Sequence, residues 1–507
     1  MSMGRLPNGR LGRCAMSAIP RIVSLAMASA VAAGLIAAVG PTPPAGAANC
    51  DAPEANIDPP AAPPSGPAPS PVPQPPTGRR PPGANIHAPL PRLGPLISAL
   101  LHPSARYSAQ IQHQEGVVPP APNPPAVPNQ QLPNVNPAVP DAAPEQALPA
   151  PTPSEQAPPV SIAGAPTSLV DWVTGPNSPN QTLQRFGISG TDLGITWDNG
   201  DPVNHQVLMA FGDTFGYCRV QGQQWRYNTL FRSQDHDLSD GVAVGPGLPF
   251  DKYSGSPVRQ ANFSKQVLPA IKWAPQEGMI PTAGISIGRT QYMSFMSIRQ
   301  WVHDGDWTTN YSAIAMSPDN GQNWGIYPRS VRIAAPDRVP GARFVPGNEH
   351  FQMGAFMRSG DGYVYSFGSP PGRGGALYLS RVPQNSLPDL TKYQYWNGDG
   401  NGSWVPRDPG AATPILPGPV GEMSAQYNPY LKRYLMLYCN GANDVVARTA
   451  PAPQGPWSPE QPLVSSFQIP GGIYAPYIHP WSSGKDLYFT LSLWSAYDVM
   501  LMHTVMP

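Results

Sequence analysis

Val207-Leu208-Met209-Ala210-Phe211-Gly212-Asp213-Thr214 is an apolar, β-prone run set behind the turn signal Asn199-Gly200, and the chain repeats that arrangement four more times. The later runs are YMSFMSI from Tyr292, YVYSFGS from Tyr363, YLMLYCN from Tyr434 and LYFTLSLW from Leu487, so successive starts are 85, 71, 71 and 53 residues apart. Recurrence at such intervals marks a repeat architecture, each unit too small to bury its own apolar faces. A strand candidate precedes each run, beginning near Asp192, Ala283, His350, Met423 and Ile473. Another follows each, at 228–232, 311–316, 375–380, 444–448 and 499–504. A weaker fourth candidate trails the first four units, for example 324–331, but the fifth unit stops at Pro507 without one. Residues 168–174 (SLVDWVT), ahead of the first unit, supply the missing strand. Five four-stranded units, one completed by both termini, predict an all-β fold, a five-bladed β-propeller over 166–507.

Composition agrees. The 507 residues carry 31 Lys+Arg against 31 Asp+Glu, only 12% charged, with 12 Trp and 20 Tyr. Such a chain suits β structure, and zero net charge gives no reason to expect a nucleic-acid partner. Of 71 prolines, 32 fall between residues 51 and 160, which excludes helix and central sheet there. Residues 49–165 therefore read as a disordered Pro/Ala-rich arm, extended and semi-rigid. Residues 1–48 read as a secretory signal peptide. Arg5, Arg10, Arg13 and Arg21 precede an 18-residue apolar run from Ile22 to Val39, and Ala45-Gly46-Ala47-Ala48 follows as a cleavage site. The alternatives are a membrane anchor, or lipidation at Cys50. The expectation is a secreted or cell-envelope protein, monomeric, with no membrane span after cleavage. In that oxidising compartment Cys50, Cys218 and Cys439 remain, and Cys218–Cys439 is the expected disulfide.

Ser317-Pro318-Asp319-Asn320-Gly321-Gln322-Asn323-Trp324 resembles the Asp-box of sialidase-like propellers, in which Asp and Gly form a hairpin turn and Trp packs between blades. Asp319 is accordingly read as structural. Asp198 and Asp201, in Asp-Asn-Gly-Asp-Pro, read as turn caps.

Chemistry is expected where the innermost strands begin, around the axis. Asp192, Thr282, Glu349 with His350, Glu422 and Tyr474 stand there. Buried acids are costly unless paired or put to use. Hairpin pairing of Thr191-Asp192-Leu193-Gly194 with Gly212-Asp213-Thr214 sets Asp213 opposite Asp192 on one face. Two carboxyls so placed split their proton affinities, as glycosidic cleavage by an acid and a nucleophile or base requires. Glu349, His350, Glu422 and Tyr474 are candidates for substrate binding or pKa tuning. The cysteine spacing matches no zinc pattern, and no metal set is identified; no cofactor is required, and a structural cation at the hub is left open. Serine-hydrolase, HExxH, P-loop and dinucleotide motifs are absent from the sequence.

With its GTDLGITWD, FGDTFG and GGIYAPY segments, the region from about 170 to 507 resembles an actinobacterial family long labelled a domain of unknown function. That resemblance implies a five-bladed propeller acting as an endo-D-arabinanase on the arabinogalactan and lipoarabinomannan of a cell envelope. It assigns catalysis to Asp192 and Asp213. The alternative is a non-catalytic propeller that binds envelope glycan or protein. A sialidase-like hydrolase is disfavoured because no arginine triad stands at the inner strands.

Overall fold

The computed structural model describes residues 161–507, apart from 270, 272 and 303–305. The expected signal peptide and all but the last residues of the proline-rich arm lie outside the described residues. Among the described residues no helix is long and apolar enough to cross a membrane.

Five antiparallel blade sheets follow one another along the described chain, with a small two-stranded sheet after the first. Blade 1 contains Gly190–Asp198, Val207–Phe215 and Thr229–Ser233. Blade 2 contains Gly278–Ile287, Thr290–Trp301 and Trp307–Ser317, with Gly325–Ile326 and Arg332–Ile333 both on its outer edge. Blade 3 runs Met353–Arg358, Tyr363–Ser369, Tyr378–Pro383, Gln394–Asn397 and Ser403–Pro406. Blade 4 runs Met423–Asn428, Arg433–Cys439, Val445–Ala450 and Gln461–Val464. Blade 5 has Ile473–Ile478, Asp486–Leu493 and Asp498–Val505, and its outer strand is Thr167–Trp172 from the other end of the propeller. Thr167 pairs with Thr504 and Trp172 with Met500, which closes the ring as expected. The five inner strands touch in cyclic order, the last against the first. The fold is a five-bladed β-propeller.

The quoted runs are the second strands, and the ring explains their composition. A blade is covered on both faces by its neighbours, so its second strand is apolar throughout rather than alternating. Val207–Phe215 and Arg433–Cys439 are buried at every position. Each seam has its own core. Leu208, Met293 and Trp324 fill that between blades 1 and 2, and Leu437, Phe489 and Leu491 that between blades 4 and 5.

The Asp-box turn lies on the first of these seams. Ser317 Oγ donates to Asp319 Oδ1 at 2.7 Å, and the amide of Asn323 donates to the same oxygen at 2.9 Å. Asn320 and Gly321 take left-handed φ of 58° and 77°, which the turn requires. Trp324 packs edge-on against Trp197 of blade 1, with ring centroids 6.5 Å apart. Asp319 is a structural residue.

Two expectations are corrected. Blade 1 has no fourth strand in its sheet. The segment after it, rich in Gly and Pro, pairs only with itself, Val258–Gln260 against Phe263–Ser264, and meets the blade through isolated hydrogen bonds such as Arg232 N–H to the Gly255 carbonyl at 2.8 Å. The Cys218–Cys439 disulfide is not formed. Cys439 is a buried free thiol and Cys218 is disulfide-bonded elsewhere, its partner outside the described residues. The reason is the ring. Cys439 ends the second strand of blade 4, with Sγ against the Ile473 carbonyl of blade 5, whereas Cys218 follows the second strand of blade 1.

Candidate active site

The hairpin of blade 1 is irregular where its acids lie. Thr191 pairs with Thr214 and Leu193 with Phe211, so Asp192 stands alone against Gly212 and Asp213. Thr191, Thr214 and Thr229 join their hydroxyls in a row, at 2.8 and 3.1 Å, on one face of the sheet. Asp192 and Asp213 leave that face at the bulge; the charge of Asp213 acts on Tyr227, in the cluster between blades 1 and 2, while Asp192 reaches across to blade 5. There Phe215 meets Tyr497 edge-on, and Tyr474 O–H donates to Asp192 Oδ2 at 3.0 Å. A second irregularity follows at once, with Leu193 and Gly194 at φ of 74° and 73°. The inner strands of blades 2 and 5 carry irregularities too, at Thr282 and at Ala475-Pro476. Bulges of this kind re-aim side chains and gather beside functional sites. Gly212 is required here for space. A Cβ on it would stand 2.4 Å from Asp192 Oδ1.

Asp192 and Asp213 are 6% and 1% exposed, and Glu422 5%. Oδ1 of Asp192 has no hydrogen-bond partner among the described residues. Burial drives the Asp192 pKa up to about 7; the Tyr474 hydrogen bond opposes the rise, the charge of Glu422 adds to it and Arg373 works against it. Glu422, just ahead of the inner strand of blade 4, is bound by Arg373 through two hydrogen bonds. Nε donates to Oε2 at 2.9 Å and Nη2 to Oε1 at 2.6 Å. Arg373 belongs to the loop joining the second and third strands of blade 3. Its guanidinium lies 5.1 Å from the ring centroids of both Trp307, in blade 2, and Tyr474, in blade 5. All five blades thus contribute at one mouth of the ring.

Of the residues expected from sequence, the structure brings together Asp192, Glu422 and Tyr474; Asp213 lies across the strand pair from Asp192, and its charge acts on Tyr227. Glu349 and His350 sit on blade 3 with other partners. Glu349 accepts from the Gly347 amide at 2.8 Å, and His350 stacks on Tyr378 at 4.0 Å. No hydrogen bond joins them to the Asp192 group among the described residues. Burial lowers the pKa of His350, opposed by Glu349. Sequence reasoning missed Arg373, Trp307 and Tyr477, a tyrosine whose pKa burial, Glu422 and Asp192 together raise well above the ordinary value. One signal was available for the arginine, a lone cation inside Gly372-Arg373-Gly374-Gly375. Asp201 caps its turn by accepting from the Val203 amide at 2.9 Å. Asp198 also caps, at Gly200, and its second oxygen accepts from Trp481 Nε1 and contacts His205 Nε2, on the opposite side of the ring from Asp192. Among the described residues no group of three or more His, Cys, Asp or Glu is arranged to hold a metal ion.

A family model matches residues 177–503, the propeller almost in full. The chain belongs to the family described as Domain of unknown function (DUF4185). Similar proteins include notoamide biosynthesis cluster protein J of Aspergillus sp. (strain MF297-2), 30% identical over 325 residues that span 62% of this chain and 82% of that one. An uncharacterized 35.9 kDa protein of Mycolicibacterium smegmatis is 26% identical over 241 residues, 46% of this chain and 62% of that one. Similar solved structures include a putative hydrolase from Bacteroides ovatus, 14% identical with a TM-score of 0.42, covering 64% of this chain and 88% of that one. An alpha-L-arabinofuranosidase from Podospora anserina is 13% identical with a TM-score of 0.37, covering 68% and 98%. Similarity at that level says nothing about the chemistry of the DUF4185 chain.

Proposed function

We propose that this propeller is a secreted glycoside hydrolase that cleaves furanosyl polysaccharide of the cell envelope, as an endo-D-arabinanase on arabinogalactan or lipoarabinomannan. One observation carries the reading. Asp192 stands across the strand pair from Gly212 and Asp213 at a bulge by the mouth of the ring, and its Oδ1 has no hydrogen-bond partner among the described residues. Asp192, with a pKa near neutrality, is the general acid that protonates the departing glycosidic oxygen. Asp213 is the second carboxylate, acting on the anomeric carbon directly or through water. The choice of arabinan rests on the resemblance of the GTDLGITWD and FGDTFG segments. The exported, proline-tethered layout supports an envelope substrate.

A second reading has an observation of its own. Carboxylates exposed by 6% or less are what a non-catalytic glycan- or protein-binding propeller would keep at its hub. Incubating the purified full chain with arabinogalactan decides between them. The hydrolase releases arabino-oligosaccharides, and Asp192→Asn and Asp213→Asn each abolish release while leaving glycan binding and thermal stability largely intact. Binding without release, from every envelope fraction, refutes the enzyme.

A further inference from the structure

Arg373 differs from Arg226, Arg232 and Arg332 in what it binds. Arg226 donates to the carbonyls of Ser264, Gly187 and Gln224, and Arg232 to those of Asn320 and Ser254 and to the Gln322 amide. Arg332 donates to Asn348 and Tyr395. Those guanidiniums pin loops through neutral acceptors. Arg373 instead takes both oxygens of a buried carboxylate. Its side chain is 12% exposed and that of Glu422 6%. A buried ion pair is weak evidence of stabilisation, because desolvation offsets much of the attraction. A role in the site must account for it.

The loop that carries Arg373 is fixed to the segment that carries Glu422. Val420 N–H donates to the Gly375 carbonyl at 3.1 Å. The two backbones cross so closely that a Cβ on Gly418 would meet the Gly375 carbonyl oxygen at 2.5 Å. Trp307 and Tyr474 each present a ring face to the guanidinium, their centroids 5.1 Å away. The cation therefore has one defined seat over the axis, beside Asp192.

We propose that Arg373 is a positioning residue, which clamps Glu422 across the mouth of the ring and so sets the charge that Asp192 faces. The role rests on the hydrolase reading for its effect on rate, although its effect on titration does not. The groups that face Asp192 are Tyr474 by hydrogen bond, Asp213 across the strand pair, and Glu422 and Arg373 through their charges. Tyr477 and the Cys439 thiol complete the surroundings of the pair, both pushed by burial toward their neutral forms. Glu422 and Arg373 act on Asp192 in opposite directions, so deleting either one unbalances it and deleting both restores it.

Glu422→Gln, Arg373→Met, Arg373→Lys and the double variant Arg373→Met/Glu422→Gln are compared in the full chain. One readout is the pH profile of kcat/KM on arabinogalactan. The other is the pH dependence of the thermal midpoint, with Asp192→Asn as the subtraction that isolates Asp192. Glu422→Gln removes the negative charge that raises the Asp192 pKa and moves the alkaline limb down by about one pH unit. Arg373→Met moves it up, Arg373→Lys recovers part of the wild-type position, and the double variant returns close to it. The double variant leaves no unpaired charge and is the folding control for the singles. The role is overturned if either single variant leaves the limb unmoved, or if both shift it the same way. A wild-type chain without activity, whose midpoint profiles still shift in opposite directions, sinks the hydrolase and keeps the clamp.

Discussion

Gly212→Ala places one methyl group where the structure has no room for it. The added Cβ would stand 2.4 Å from Asp192 Oδ1, 3.2 Å from Leu193 Cδ1 and 3.4 Å from Asp192 Cγ, whereas ordinary contact for a Cβ begins at 3.4 Å. The Asp192 carboxyl must therefore retreat by about 1 Å or swing off Tyr474. A displacement of about 1 Å in a catalytic group can cost about 10²-fold in rate, or about 2.7 kcal/mol of transition-state stabilisation. Overpacking adds a loss of about 1–3 kcal/mol in stability. Gly325→Ala is the control, because nothing lies within 4 Å of its added Cβ and its φ is not in the left-handed region. The assay is kcat/KM for release of arabino-oligosaccharides, with thermal midpoints on the same preparations. Gly212→Ala should be about 100-fold slower and melt a few degrees lower, while Gly325→Ala matches wild type on both counts. Wild-type turnover by Gly212→Ala would refute the placement of Asp192 at the reacting bond.

Further outcomes follow from the same geometry. Because Asp192 titrates near 7 when folded and near 3.8 otherwise, the folded state holds the proton more tightly, so stability falls as pH rises from about 4 to 7. Asp192→Asn removes that term, so its thermal midpoint should decline less than that of wild type over the same range; parallel declines would contradict the shift. The Cys439 thiol, sealed between blades 4 and 5, should react with a thiol reagent only after denaturation. Rapid labelling of Cys439 in the native protein, read by peptide mass, would contradict the seam. Trp324→Ala should lower stability by about 3–5 kcal/mol by denaturant titration, through loss of the blade 1–2 contact, without changing the pH profile of activity. A change in that profile would mean the Asp-box does more than hold the turn.

How much of this was legible in the residues depends on the range of the interactions involved. Blade number, strand order and ring closure follow from the spacing of apolar runs and from one spare strand before the first, because burying a blade on both faces imposes a local composition. Asp192 and Asp213 were legible for a similar reason, since hairpin pairing is set within about twenty residues. The Asp-box was too, because its turn is made by its own side chains. Short-range chemistry determined these features. Glu422 and Tyr474 could be placed near the axis, but not their partners. That Arg373 of blade 3 would bind a carboxylate of blade 4 between rings from blades 2 and 5 depends on how five sheets pack around an axis. No periodicity in the chain encodes that packing. Cys439 was mispaired for the same reason, since two cysteines in the folded part can be blades apart on a ring. The path after blade 1 made only a small sheet of its own, apart from the blade, because glycine and proline interrupt a weak strand pattern. Sequence alone determined the scaffold and two of its acids, because those follow from local pattern. Only the closed ring decided which charges Asp192 faces, because those charges arrive from blades far apart in sequence.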